Sequence, residues 1–253
     1  MKNIFSLILI SFTGFISYGQ IFFGEQQLIS TAGISRPETI FSTDLDGDGD
    51  MDILTSNYGD KSVSWFENLD GKGNFSPPVF LDPDVPQPAG AIANDLDGDG
   101  DPDIIYASWE RDEIFWKKNL GSGIFGNPQI IDDYASGVWK LYSSDIDGDG
   151  DADLIIPLRE GHGLVWYENM DGSGNFSEKK WIDSNMQNAR EAYPADVDGD
   201  SFIDILTLDW SAGTAIWYRN EDGKGNFSDR KIITEQLTYP EKLICFDLDG
   251  NGY

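Results

Sequence analysis

The sequence predicts an all-β fold, a β-propeller built from four-stranded antiparallel blades of about 50 residues each, and three observations predict it. Acidic clusters begin at Asp44, Asp95, Asp145, Asp196 and Asp247, at spacings of 51, 50, 51 and 51 residues. A tryptophan recurs in step at Trp65, Trp116, Trp166 and Trp217, each followed three residues later by Asn68, Asn119, Asn169 or Asn220 and then by a Gly-x-Gly-x-Phe element such as Gly71 to Phe75. The intervening runs are short and rich in β-branched and aromatic residues, they are bounded by Gly, Asp and Asn, and no window shows an apolar stripe of helical period. Four short strands in a unit of this length make a propeller blade, whereas a β-solenoid has shorter repeats.

The 253 residues carry 45 acidic side chains against 17 basic ones, a formal charge of -28. Phosphate backbones and anionic lipid repel such a chain, so nucleic acid and membrane surfaces are set aside as partners. Acidic disordered chains are poor in aromatics, but 13% of this chain is aromatic and 40% hydrophobic, enough for a sizeable core. Of the 45 acids, 21 fall in the five clusters, where the few Lys and Arg cannot neutralise them. A bound cation is the simplest compensation.

Along the chain, residues 1–19 read as a secretory signal: Lys2, the apolar stretch Ile4 to Ile16, then Ser17-Tyr18-Gly19 with small residues where a signal peptidase cuts. The apolar stretch is short for a retained span of about 20 residues, and no basic flank follows it. The expectation is cleavage, no membrane insertion, and a secreted or cell-surface protein, extracellular or periplasmic. Residues 20–253 then form an incomplete propeller. Its first segment, 20–31, contains Phe23-Gly24-Glu25-Gln26-Gln27-Leu28-Ile29, which matches Phe125 to Ile131 and reads as an outer strand able to latch a last blade. Repeat units begin near residues 38, 89, 138, 190 and 241. Strands are expected in the first at Thr39–Ser42, Ile53–Thr55, Val63–Phe66 and Pro78–Leu81, and the others follow in register. The lone Cys245 excludes an internal disulfide, and its run Leu243–Phe246 reads as a buried strand. Four blades and part of a fifth predict an open arc or a fragment of a seven-bladed ring, which would need about 350 residues. A five-bladed ring is the alternative.

The nine residues Asp44-Leu45-Asp46-Gly47-Asp48-Gly49-Asp50-Met51-Asp52, with the Trp-x-x-Asn and Gly-x-Gly-x-Phe elements downstream, resemble the FG-GAP/VCBS repeat. That repeat is similar to the blades of the integrin α-subunit propeller and occurs in many secreted bacterial proteins. The resemblance covers essentially everything after the leader.

Acids at alternate positions can turn several oxygens toward one point, which suits calcium, a hard cation taking six to eight of them. In the first loop the expected side-chain ligands are Asp44, Asp46, Asp48 and Asp52, with the carbonyl of Asp50 as a further one; Gly49 permits the tight turn. The equivalent sets are Asp95, Asp97, Asp99 and Asp103 with Asp101, then Asp145, Asp147, Asp149 and Asp153 with Asp151. Loop four keeps Asp196, Asp198, Asp200 and Asp204 but has Ser201 in place of glycine and Phe202 at the carbonyl position. Loop five has Asp247, Asp249 and Asn251 and reaches Tyr253 before a closing acid. These are not EF-hands, because position twelve is Thr55, Tyr106, Ile156 or Thr207 instead of Glu. The resemblance implies that the ninth residue closes the site, and about one Ca2+ per complete blade is expected, in a structural role that replaces disulfides.

Strand alternation puts these loops and the Gly-x-Gly turns on one rim. On the opposite rim, six residues after each closing aspartate, stand Tyr58, Trp109, Arg159 and Trp210. They are candidates for recognising sugar or peptide; the alternative is that they cover blade edges. The tryptophans and asparagines of Trp-x-x-Asn are expected to be structural. His162 is the one histidine, and no nucleophile elbow, zinc cluster, phosphate loop or redox Cys pair is present. The function expected is a non-catalytic binding or adhesion module for protein or glycan. The alternative is the propeller domain of a polysaccharide lyase or another carbohydrate-active enzyme, so no catalytic residue is assigned.

Overall fold

A computed structural model describes residues 28–29 and 34–247. The leader, most of segment 20–31, and Asp249 and Asn251 lie outside the described residues. Sixteen strands and no helix are described, in four antiparallel sheets whose strands follow in chain order. The first sheet contains β1 (Pro37–Thr43), β2 (Asp52–Asn57), β3 (Ser62–Phe66) and β4 (Val79–Asp82). The second contains β5 (Pro88–Asn94), β6 (Asp103–Ser108), β7 (Glu113–Lys117) and β8 (Gln129–Asp132). β9 (Tyr142–Ser144), β10 (Asp153–Leu158), β11 (Gly163–Tyr167) and β12 (Lys180–Asp183) form the third. β13 (Ala189–Ala195), β14 (Asp204–Asp209), β15 (Thr214–Tyr218) and β16 (Lys231–Thr234) form the fourth.

Burial within a blade follows from its neighbours. Second strands such as β6 and β10 are buried along their whole length, because another sheet or a loop covers each face. They accordingly read as continuous apolar runs after their first aspartate. Fourth strands are half-exposed or, at β16, exposed throughout. Three apolar cores hold the sheets together, one per pair of successive blades. Leu54, Trp65, Tyr106 and Phe115 pack between the first and second. Ile105, Trp116, Leu154 and Tyr167 pack between the second and third, and Ile155, Trp166, Ile205 and Tyr218 between the third and fourth. Among the described residues no core joins the fourth sheet to the first. Three interfaces for four sheets is the arithmetic of an open arc. The inner strands line a cavity of about 660 Å³ that includes Ile40, Ile92, Tyr142 and Pro194.

The first three recurring tryptophans each lie under the glycine turn of the next blade. Gly123, Gly174 and Gly225 have φ of 67°, 77° and 71°, and a Cβ at any of them would overlap the ring of Trp65, Trp116 or Trp166 respectively. Two demands, a left-handed backbone and close approach of a ring, thus fall on one glycine.

One expected strand is absent. Residues Leu243–Phe246 form no strand; Ile244 and Phe246 are exposed, and Cys245 is half-buried. An inner strand needs the hydrogen bonds of a second strand, and in the four complete units that strand starts at the closing aspartate. Among the described residues no such second strand lies beside Leu243–Phe246.

Candidate functional site

The acidic loops connect the first and second strands of every sheet, and the Gly-x-Gly turns connect the third and fourth, so both occupy the same rim. The first aspartate of each loop shapes the turn. Asp44 Oδ1 accepts from the Gly47 amide at 2.8 Å and its Oδ2 from the Gly49 amide at 2.9 Å. Asp95 does the same with Gly98 and Gly100, Asp145 with Gly148 and Gly150, and Asp196 with Gly199 and Ser201. The turn requires a left-handed residue at the sixth position, where Gly49, Gly100 and Gly150 have φ of 95°, 93° and 98°. Ser201 adopts 72° there, the strain expected of a residue with a Cβ.

The ninth residue closes each loop by hydrogen bonding as well as by charge. Asp52 Oδ2 accepts from the Leu45 amide at 3.0 Å and Oδ1 from the Asn68 amide at 2.8 Å. Asp103, Asp153 and Asp204 repeat both bonds, and all four carboxylates are buried. Burial pushes Asp103 up to about 6 and Asp153 up to about 7, and raises Asp204 as well. Removal from water outweighs the amide hydrogen bonds, which favour the ionised form. The asparagines reach further. Asn119 Nδ2 donates to the Leu45 carbonyl of the preceding blade at 2.8 Å, Asn169 to Leu96 at 2.7 Å and Asn220 to Ile146 at 2.8 Å. Each one therefore clamps its own loop to that of its neighbour.

Carboxylate oxygens converge within 4.8 Å of one another in all four loops. They come from Asp44, Asp46 and Asp48; from Asp95, Asp97 and Asp99; from Asp145, Asp147 and Asp153; and from Asp196, Asp198 and Asp204. Asp97 Oδ1 and Asp147 Oδ1 are buried without a hydrogen-bond partner, orphaned acceptors of the kind a cation satisfies. Burial, reinforced by the charges of Asp52, Asp48 and Glu67, raises Asp46; Asp147 is raised by burial and then by Asp149 and Glu168. The donor set fits a hard cation. The side chains of Asp50, Asp101, Asp151 and Phe202 are directed instead at the first glycine of the adjoining turn, Gly71, Gly121, Gly172 and Gly223.

On the opposite rim, Tyr58, Trp109, Arg159 and Trp210 open the turns between second and third strands, and all are half-buried. They are engaged with one another and with residues the sequence reading passed over. Trp109 meets Trp139 edge to face, with ring centroids 5.2 Å apart, and the Arg159 guanidinium lies 4.9 Å from the Trp139 ring. Arg190 lies 4.7 Å from the ring of Trp210, which also packs on Tyr239 at 4.8 Å. Arg36 covers Tyr58 at 4.3 Å. Burial and then the nearby Arg190 charge lower the pKa of Arg159. The exposed His162 ring contacts the Gln187 carbonyl through Nδ1 at 3.0 Å.

Two further sets escaped the sequence reading. Buried tyrosines bind the last residue of the preceding blade's outer strand: Tyr106 to Asp82 and Tyr167 to Asp132, each at 2.6 Å, and Tyr218 to Asp183. The second set is the residue two after each tryptophan, Glu67, Lys118, Glu168 and Arg219, which stands beside the acidic loop. Its alternation of charge was a signal available in the sequence.

Residues 44–105, 95–156 and 196–253 match the FG-GAP-like repeat family. No curated protein matches the chain. Among solved structures, an Agrocybe aegerita lectin that recognises non-reducing terminal N-acetylglucosamine aligns with a TM-score of 0.57 at 23% identity, over 79% of this chain and 52% of that one. BBS1N in complex with ARL6DN aligns with a TM-score of 0.56 at 13% identity, over 82% of this chain and 60% of that one. The chain thus spans about half to three-fifths of those two chains, and at such identities the likeness is one of fold. The matched repeats cover more than half of the chain, and the described sheets repeat one blade whose loop, tryptophan and glycine turn interlock from each sheet to the next: the chain belongs to the FG-GAP-like repeat family.

Proposed function

We propose that this chain is a secreted, calcium-stabilised β-propeller that acts as a non-catalytic binding or adhesion module for a protein or glycan. The observation that carries the reading is the rim opposite the acidic loops, where half-buried Trp109, Trp139 and Trp210 pack with Arg159 and Arg190. Flat rings stack on sugar or peptide faces, and the Arg159 guanidinium offers donors and positive charge in a chain that is otherwise strongly acidic, while Arg190 is held by Glu241 and Asn188. The lectin and the BBS1N complex support it as propellers that meet a glycan and a protein partner. A cleaved leader at residues 1–19 would deliver the chain outside the cell, and among the described residues no helix is long and apolar enough to cross a membrane.

Calcium in this reading is structural. Oxygen-only donors on a loop of alternating aspartates suit it better than magnesium, which demands near-octahedral geometry. The aspartates at the first, third, fifth and ninth positions would hold it, with the carbonyl of the seventh residue, and bound calcium would supply positive charge that Lys118 and Arg219 bring only to loops two and four. A glycan array probed with and without calcium tests the function. Binding that requires calcium and is lost in Trp109→Ala and Trp210→Ala, with both variants still folded by circular dichroism, is the expected result. Release of unsaturated sugar products absorbing in the ultraviolet would overturn it in favour of a lyase.

A further inference from the structure

The four loops differ at one seat. Glu67, Lys118, Glu168 and Arg219 immediately follow the third strands, and their backbones are held alike. The carbonyls of Glu67, Glu168 and Arg219 accept from the amides of Ser76, Ser177 and Ser228, and that of Lys118 from Gly126, at 2.7 to 2.8 Å. With the backbone fixed, what changes from blade to blade is the charge presented to the loop. In loop two, Lys118 Nζ is paired with Asp97 and lies 3.1 Å from Asp99 Oδ2. In loop four, Arg219 Nε is 2.6 Å from Asp198 Oδ2 and its Nη2 is 2.7 Å from Asp200 Oδ2. Loops one and three have carboxylates at this seat. Glu67 forms no ion pair among the described residues, and Glu168 is paired with Lys180 on the outer strand of its own blade.

We propose that this seat divides the loops into two classes of divalent-cation site. Loops one and three take calcium readily, because no tethered cation from this seat pairs with their aspartates. Loops two and four hold their own tethered cation, and calcium must displace it. The proposal rests on the calcium reading above. Loop three contributes an independent sign of a missing ligand, since Asp147 Oδ1 is buried with no partner. Loop two is only partly satisfied by its lysine: Asp97 is 8% exposed and its Oδ1 also lacks a partner, so a place for an ion persists once Lys118 swings away. A unit charge about 5 Å from a divalent ion changes affinity by about tenfold even with the screening of bulk water. The replacement of a carboxylate by an ammonium or guanidinium therefore separates the classes by about tenfold or more.

Equilibrium dialysis of the full chain against radioactive calcium chloride, at low ionic strength, reads this directly. Wild-type protein should bind two calcium ions per chain about tenfold more tightly than the next two. The double variant Lys118→Gln/Arg219→Gln should strengthen the weak pair toward the tight one, and Glu67→Lys/Glu168→Lys should abolish the tight pair. Four equivalent ions in the wild type would overturn the proposal and leave structural calcium standing. Two classes that persist unchanged in Lys118→Gln/Arg219→Gln would also overturn it. No calcium uptake at all would remove the underlying reading and the proposal with it. The wild-type isotherm needs no variant to fold, so the proposal can fail on that measurement alone.

Discussion

At the scale of single residues, most of the loop chemistry reduces to what one side chain can do for a left-handed turn. Ser201 holds φ of 72° where the other loops use glycine. Ser201→Gly should therefore stabilise the metal-free chain by about 0.5–1 kcal/mol, read as a higher urea midpoint. An unchanged or lower midpoint would show that the strain is absorbed elsewhere. The alternate aspartates of these loops were legible in the sequence because their spacing is the chemistry. The second role of the ninth residue was not. Asp52, Asp103, Asp153 and Asp204 accept amide bonds from asparagines sixteen residues downstream, and only the folded sheet shows that those amides point at the loop. Phe202 illustrates the opposite case. A position that offers only its carbonyl tolerates any side chain, and the Phe202 ring lies against Gly223 where Asp50, Asp101 and Asp151 lie against theirs.

At the scale of strands and blades, the interfaces are held by a few buried polar contacts set into apolar cores. Tyr106 donates to Asp82 across the first interface at 2.6 Å. Tyr106→Phe should destabilise the protein by about 1.5–3 kcal/mol, the usual contribution of a hydrogen bond to a charged group, measured by denaturant unfolding. Asn119 offers a sharper comparison with Asn68. Asn119 Nδ2 bonds to Leu45 of the preceding blade and to Pro102, whereas the described bond of Asn68 Nδ2 goes to Met51 in its own unit. Asn119→Ala should therefore cost about 1–3 kcal/mol more than Asn68→Ala, and equal losses would argue against the clamp. The expected strands of the first unit all overlap β1 to β4, because short β-branched runs between Gly and Asp punctuate clearly. Contacts between blades were less legible. Tyr106 on β6 and Tyr167 on β11 perform the same task from different strands, so no single repeat position reveals it. Leu243–Phe246 was misread because an apolar run becomes a strand only where a partner strand supplies its hydrogen bonds.

For the whole molecule, charge and pH act together. Without a metal, the raised carboxyls of Asp103 and Asp153 hold protons that the unfolded chain releases near pH 4. The folded state then binds more protons than the unfolded one, so stability falls as pH rises from about 4 to 7. Metal-free protein should melt at a lower temperature at pH 7.5 than at pH 5, and calcium should raise the melting temperature more at pH 7.5. Each site held at tenfold its dissociation constant adds about 1.4 kcal/mol. A melting temperature that ignores both calcium and this pH interval would count against structural calcium. The clamps also carry a consequence in time. Asn119 and Asn220 sit 74 residues after the loop carbonyls they bind, and Asn169 sits 73 after its own. A chain synthesised at about 5–20 residues per second delivers each asparagine several seconds after the loop it secures. The first three loops can therefore be clamped only in turn, each after the blade that follows it has been made.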